Sequence, residues 1–240
     1  MSKINAVYVS LLALVVAVAA LVMCIFCCCG NKGNNVEETL NNNPEMIINA
    51  MQKYEAMQRE NALKAAEEAL AQSADALYNN AADGVIGNPE GTVTLVEFFD
   101  FSCGYCHRIY PVLKNVVANN ADLKLVAKPL AFLSPMSQYA AKAALAAKEQ
   151  GKFAEVYSAI FEIKGPLTEA KIDEASVKAG ADLEKLKADM ESEAVNKTIS
   201  ETAALANKIG VNGVPTLVMN NKILQTLDEG VIQEAINAAK

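Results

Sequence analysis

One stretch constrains this 240-residue chain more than any other: TVTLVEFFDFSCGYCHRIYPVL, residues 92 to 113. Val93, Leu95, Val96, Phe98 and Phe99 form an apolar run rich in β-branched and aromatic residues, preceded by the turn sequence Gly87-Asn88-Pro89-Glu90-Gly91. Such a run reads as a buried central strand. Beyond Cys103 the apolar residues Ile109, Val112, Leu113, Val116 and Val117 recur at helical spacing, so the first thiol falls where a helix begins. A helix start offers unpaired N–H groups and a partial positive charge, which favour a thiolate over a thiol. Cys103 is therefore the expected nucleophile. Cys106 follows within one turn, close enough for a disulfide, and is the expected resolving sulfur.

Three other chemistries use the same letters. A structural zinc site needs four ligands. The remaining cysteines, Cys24, Cys27, Cys28 and Cys29, lie in or beside an apolar N-terminal stretch, and His107 is the only histidine, so no metal site is expected. Cys103 to His107 spells the haem-attachment pattern C-G-Y-C-H, but a hydrophobic strand running straight into it is not a haem-wrapping scaffold. No cofactor is expected. A plain structural disulfide is the third alternative. His107, when charged, would lower the nearby thiol's pKa further; a helix-surface imidazole without a role is the alternative.

VEFFDFSCGYCHRIYP, followed far downstream by GVNGVPTLVMNNK, resembles the DsbA-type thiol:disulfide oxidoreductases of the thioredoxin superfamily. The resemblance implies an α/β thioredoxin-like fold with an inserted helical subdomain. It implies that Pro215 is cis and faces the cysteines and that the Val214 backbone meets substrate; Gly104 and Tyr105, between the two thiols, are the expected local determinants of the redox poise and further expected substrate contacts. Glu97, six residues before Cys103, stands where such proteins keep a buried acid that manages the Cys106 proton. On residues alone Glu97 equally suits an edge strand in solvent. The C-G-Y-C motif is shared with disulfide isomerases whose N-terminal segment makes them oligomers, which implies a dimer or trimer here.

Residues 6 to 26 carry no charge and are long enough for a bilayer-spanning helix. Residues 1–29 are accordingly expected to be a transmembrane anchor or signal segment, with the rest exported to the extracytoplasmic side of a bacterial envelope, where disulfides persist. Leu21-Val22-Met23-Cys24 resembles a lipoprotein signal, with Met23 departing from the small residue expected. The Gly- and Asn-rich stretch 30–43 reads as a flexible linker. From Pro44 to about Asn80 the composition predicts a long helix, broken at most once, with two seams: Ile47, Ala50, Tyr54 and Met57, then Leu63, Ala66, Leu70 and Leu77. This 44–82 segment packs either on a second copy or on its own domain.

The redox domain is expected over 83–240. Val85 and Ile86 suggest a short first strand, and Leu123–Leu130 a parallel partner ended by Pro129. The region 131–209 has almost no strand signal and reads as helical, with starts at Ser134, Lys152, Thr168, Asp182 and Ser192. Thr216–Met219 and Ile223–Leu227 predict a hairpin through Asn220-Asn221, closed by a helix over Asp228–Ala239. A net charge of −7 without a basic cluster excludes nucleic acid as partner. The expected partners are exported cysteine-containing proteins and a membrane redox partner. The expected activity is disulfide formation or isomerisation; the alternatives are a reductase of the same fold and, less favoured, a c-type haem protein through Cys103 to His107 or a non-enzymatic surface binding protein.

Overall fold

The computed structural model describes residues 14–24, 34–224 and 226–240. The chain divides into two compact units, Met1–Ala62 and Leu63–Lys240. In the first, residues 14–24 are helical, α1 spans Asn34–Asn42 and α2 begins at Glu45 and continues to Gln72. The expected flexible linker is thus partly regular: Glu37, Glu38, Thr39 and Leu40 carry a helix through the Asn-rich stretch, with acidic side chains in its N-terminal half as the helix dipole favours. Among the described residues no helix is long and apolar enough to cross a membrane. Much of the expected 6–26 span, residues 6–13 and 25–26, lies outside the described residues, as do Cys27, Cys28 and Cys29.

The second unit starts at Leu63, ahead of the boundary expected at 83. The cause is visible in the second seam. Leu70, near the end of α2, and Leu77, on α3 (Ala74–Tyr78), are 1% and 0% exposed and pack with Val96 and Phe98. Leu70 and Leu77 of that seam thus serve their own domain, while its first member Leu63 is 57% exposed; along the first seam Ile47, Tyr54 and Met57 are about half exposed or more, at 48, 61 and 51%. The helix breaks once, at Ser73, as the composition allowed.

Five strands form one mixed sheet in the order β1-β3-β2-β4-β5: β1 Gly84–Gly87, β2 Val93–Phe99, β3 Leu123–Pro129, β4 Thr216–Met219 and β5 Lys222–Leu224. β2 is central, parallel to β3 and antiparallel to β4. A strand flanked on both edges and covered on both faces buries nearly every side chain, which accounts for its unbroken apolar run. Its odd residues face α4 (Gly104–Asn119) and α10 (Glu229–Ala238), where Val93 and Leu95 meet Ile109, Leu113, Ile232 and Ile236. Its even residues Val96 and Phe98 face Leu70, Leu77, Leu205 and Ile209.

Between β3 and β4 run α5 (Pro135–Lys148), α6 (Phe153–Phe161), α7 (Glu169–Lys178), α8 (Leu183–Met190) and α9 (Glu193–Lys208). Their starts are chemically marked: Ser134, Thr168, Asp182 and Ser192 each accept a hydrogen bond from the third residue of the following turn. Asn220 and Asn221 both adopt positive φ, 49° and 58°, the backbone of a tight hairpin turn that asparagine tolerates. β5 is shorter than the strand expected over 223–227 and begins one residue earlier.

Two buried charges lie on the even face. Lys128 and Asp83, 1% and 0% exposed, form an ion pair, and Lys128 also donates to the Ala76 carbonyl at 2.7 Å. Burial pushes the Asp83 carboxyl up and the Lys128 ammonium down, each opposed by the other's charge. The pair ties α3 and the approach to β1 onto the sheet.

Candidate active site

β2 ends at Phe99, and the chain must turn sharply to start α4. Asp100 makes that turn. Its buried carboxylate accepts from the Ser102 N–H at 2.7 Å through one oxygen and from the Phe132 and Leu133 N–H groups at 3.2 and 3.1 Å through the other, while its carbonyl accepts from Cys103 N–H at 3.0 Å. Sequence reasoning missed Asp100; its only local signal is the Asp-x-Ser spacing of an Asx turn.

Cys103 is the N-cap residue of α4 and is 8% exposed. Its thiol donates to the Val214 carbonyl at 3.4 Å, so residues 111 apart in sequence meet at the site. The Val214-Pro215 peptide is cis. Cys106, one turn on, is fully buried. Burial pushes its thiol far above the ordinary range; a hydrogen bond from the Asp100 backbone opposes this, and the charge of Glu97 and the neighbouring Cys103 add to it. Both thiols are free. The asymmetry suits a pair in which one sulfur meets substrate and the other waits behind it.

Glu97 projects from the centre of β2 on the same face and is wholly buried, which removes the edge-strand alternative. The Tyr157 hydroxyl of α6 donates to its Oε2 at 2.7 Å, while Oε1 has no hydrogen-bond partner among the described residues. Burial pushes the carboxyl up to about 7, and the tyrosine hydrogen bond draws it down. Nothing in the sequence marks Tyr157, sixty residues away on a helix whose other large residues are core.

The remaining expected residues divide. His107 donates from Nε2 to the Phe101 carbonyl at 2.8 Å and lies edge-on to Phe161, so its ring is engaged by the turn. Gly104 would admit a Cβ without contact. Tyr105 is 55% exposed, with the Arg108 guanidinium over its ring at 4.1 Å. Tyr105, Val214, Pro215, Thr216 and Leu227 line an open cleft of about 520 Å³ beside Cys103.

A thioredoxin-like sheet with a dithiol at a helix start, a proline loop against it and a helical insertion defines the class of DsbA-like thioredoxin domains. Residues 94–236 match the family described as DSBA-like thioredoxin domain, and the chain belongs to that family. A thioredoxin-like oxidoreductase from Silicibacter pomeroyi DSS-3 is 36% identical, with a TM-score of 0.65 over 69% of this chain and 96% of that one. Proteus mirabilis ScsC in a transitional conformation is 26% identical, with a TM-score of 0.66 over 93% and 97% of the two chains. A sodium/proton antiporter NhaA 1 from Mycolicibacterium gilvum is 34% identical over 145 residues, which are 58% of this chain and 24% of that protein. The chain thus spans about a quarter of the length of the curated relative it matches.

Proposed function

We propose that the chain is an exported thiol:disulfide oxidoreductase that forms or isomerises disulfides in cysteine-containing proteins. The observation that carries this reading is the stacked arrangement of a partly accessible Cys103 at the start of α4, a buried Cys106 behind it and the Val214 carbonyl beside it. In the oxidising direction a substrate thiolate attacks Cys103 Sγ of the protein disulfide, and the Cys103–Cys106 bond breaks. Cys106 leaves as a thiolate and takes a proton, and a second substrate thiolate attacks the substrate sulfur of the mixed disulfide. The substrate gains a disulfide and the protein keeps two thiols. Isomerisation starts from the reduced protein: the Cys103 thiolate attacks a substrate disulfide and releases one substrate thiolate. A different substrate thiolate then attacks the substrate sulfur of the mixed disulfide, so that Cys103 leaves as a thiolate and no net electrons are transferred. An extended backbone beside Val214 and Pro215 in the cleft under Tyr105 supplies the substrate contact.

The exposed first seam of α2 supports assembly with a second copy, and the apolar stretch 6–26 supports membrane attachment with the redox domain outside the cytoplasm. A membrane redox partner would reset the pair. Two tests address the reading. Cys103→Ala in the full chain should abolish turnover of a model disulfide, and retained turnover would remove Cys103 from the role. The reduction potential of the pair in glutathione buffers should fall at roughly −120 to −180 mV for a disulfide donor or shuffler, whereas roughly −250 mV or lower would mark a reductase.

A further inference from the structure

Exchange at a buried sulfur raises a proton problem. Cys106 has to lose a proton to attack and regain one to leave, in a place where water does not reach it. Glu97 is the carboxyl whose charge bears on Cys106, and its two oxygens are not equivalent: Oε2 is occupied by the Tyr157 hydroxyl and Oε1 is unpartnered among the described residues. The tyrosine cannot swing away. Its ring lies 4.8 Å from Phe161, 5.2 Å from Phe99 and 5.8 Å from Phe101, centroid to centroid, and is 2% exposed.

We propose that Tyr157 is a positioning residue for exchange: by donating to Oε2 it confines the exchangeable proton of Glu97 to Oε1 and sets how readily that oxygen takes the Cys106 proton. This rests on the thiol-exchange reading above. When the protein resolves a mixed disulfide, Cys106 passes its proton to Oε1 and attacks Cys103 Sγ. The Cys103–Cys106 bond forms, the bond to the partner sulfur breaks, and the partner leaves as a thiolate that solvent protonates. The chain loses two electrons and the partner disulfide gains them. Tyr157 stays a donor throughout, because burial and the Glu97 charge push its phenol well above the ordinary range.

The other groups packed around this centre are Cys103 and Tyr110 on α4. Tyr110 is turned to Glu162, to which it donates at 2.9 Å, and Glu162 also holds Lys114. The in-register neighbours of Glu97 are apolar, Ala127 on β3 and Leu217 on β4. Lys128 projects to the opposite face, where Asp83 holds it. Tyr157 is thus the donor through which the helical insertion acts on the redox pair.

The test uses the full chain and oxidised glutathione. Reduced protein forms a mixed disulfide at Cys103, and release of the second glutathione is followed by rapid quench from pH 5 to 10, with the Glu97 carboxyl titrated in parallel by difference infrared spectroscopy. The expected wild-type rate rises with pH through about 7. Tyr157→Phe keeps the packing and removes the donor, so both the rate profile and the carboxyl titration should move up by about one pH unit, a loss of about tenfold at pH 6. Site-specific 3-fluorotyrosine at position 157, a stronger donor of the same shape, should move both down, and it decides the matter if Tyr157→Phe does not fold. Glu97→Gln should remove the inflection. Profiles unmoved by either change at Tyr157, or a moved carboxyl titration with an unmoved rate, would overturn the proposal. A wild type that never forms the mixed disulfide would instead overturn the exchange reading beneath it.

Discussion

Replacing Glu97 with an amide removes a charge that the folded protein holds in a dry place, and the structure sets the size and direction of the effect. The carboxyl is wholly buried, with a folded pKa of about 7 against an ordinary 4.5. Between those values the folded chain keeps a proton that the unfolded chain has released, so stability falls as pH rises. The contribution is whole below pH 4.5 and gone above about 7. At 1.36 kcal/mol per unit the 2.5-unit gap between 4.5 and 7 makes the loss about 3 kcal/mol. The Glu97→Gln side chain is neutral throughout and lacks this slope. Urea unfolding of both proteins, with the cysteines held reduced, should therefore show the stability difference, variant minus wild type, growing by about 3 kcal/mol from about pH 4 to about pH 8. Comparing two pH values cancels any fixed cost of fitting an amide beside Tyr157, and other titrating groups such as Asp83 cancel between the proteins. Parallel pH dependences would refute the reasoning, since Glu97 would then ionise as it does in the unfolded chain.

Three further outcomes follow from packing. Lys128→Met strands the Asp83 carboxyl in the sheet and should cost about 3–5 kcal/mol in denaturant unfolding, most of it recovered by adding Asp83→Leu. Gly84→Ala places a methyl 1.9 Å from the Phe153 ring and should destabilise by about 1–3 kcal/mol, whereas Gly104→Ala, which meets nothing, should leave packing unchanged. Tyr54→Asp with Met57→Asp should convert an oligomeric full chain to monomer in sedimentation, and equal masses would remove assembly through the first seam.

The parts of this fold written in local pattern were legible before the structure. The β2 run, the helix starts at Ser134, Thr168, Asp182 and Ser192, and the paired asparagines of the hairpin each satisfy a rule that operates within a few residues. What escaped is what the sheet brings together. The burial of Lys128 has no local sign, because its ion-pair partner Asp83 lies 45 residues earlier. Tyr157 lies on a helix whose other large residues are core, and nothing near it in sequence points to Glu97. Glu97 stayed ambiguous until β4 proved to cover the edge of β2 that would otherwise have faced water. The second seam of the long helix was legible as a seam, but its partner was not, since the same leucines suit a second chain or a nearby sheet.

The span between Cys103 and Val214 has a consequence for the order of events in a growing chain. The contact bridges 111 residues, and β4, which starts just after the Val214-Pro215 pair that makes it, pairs with β2 and β5. Until the segment carrying β4 has emerged, the central strand lacks one neighbour and both cysteines lack the wall that shields them. A high contact order of this kind slows closure of the sheet. A nascent or truncated chain therefore exposes two thiols that the finished domain keeps 8% and 0% exposed.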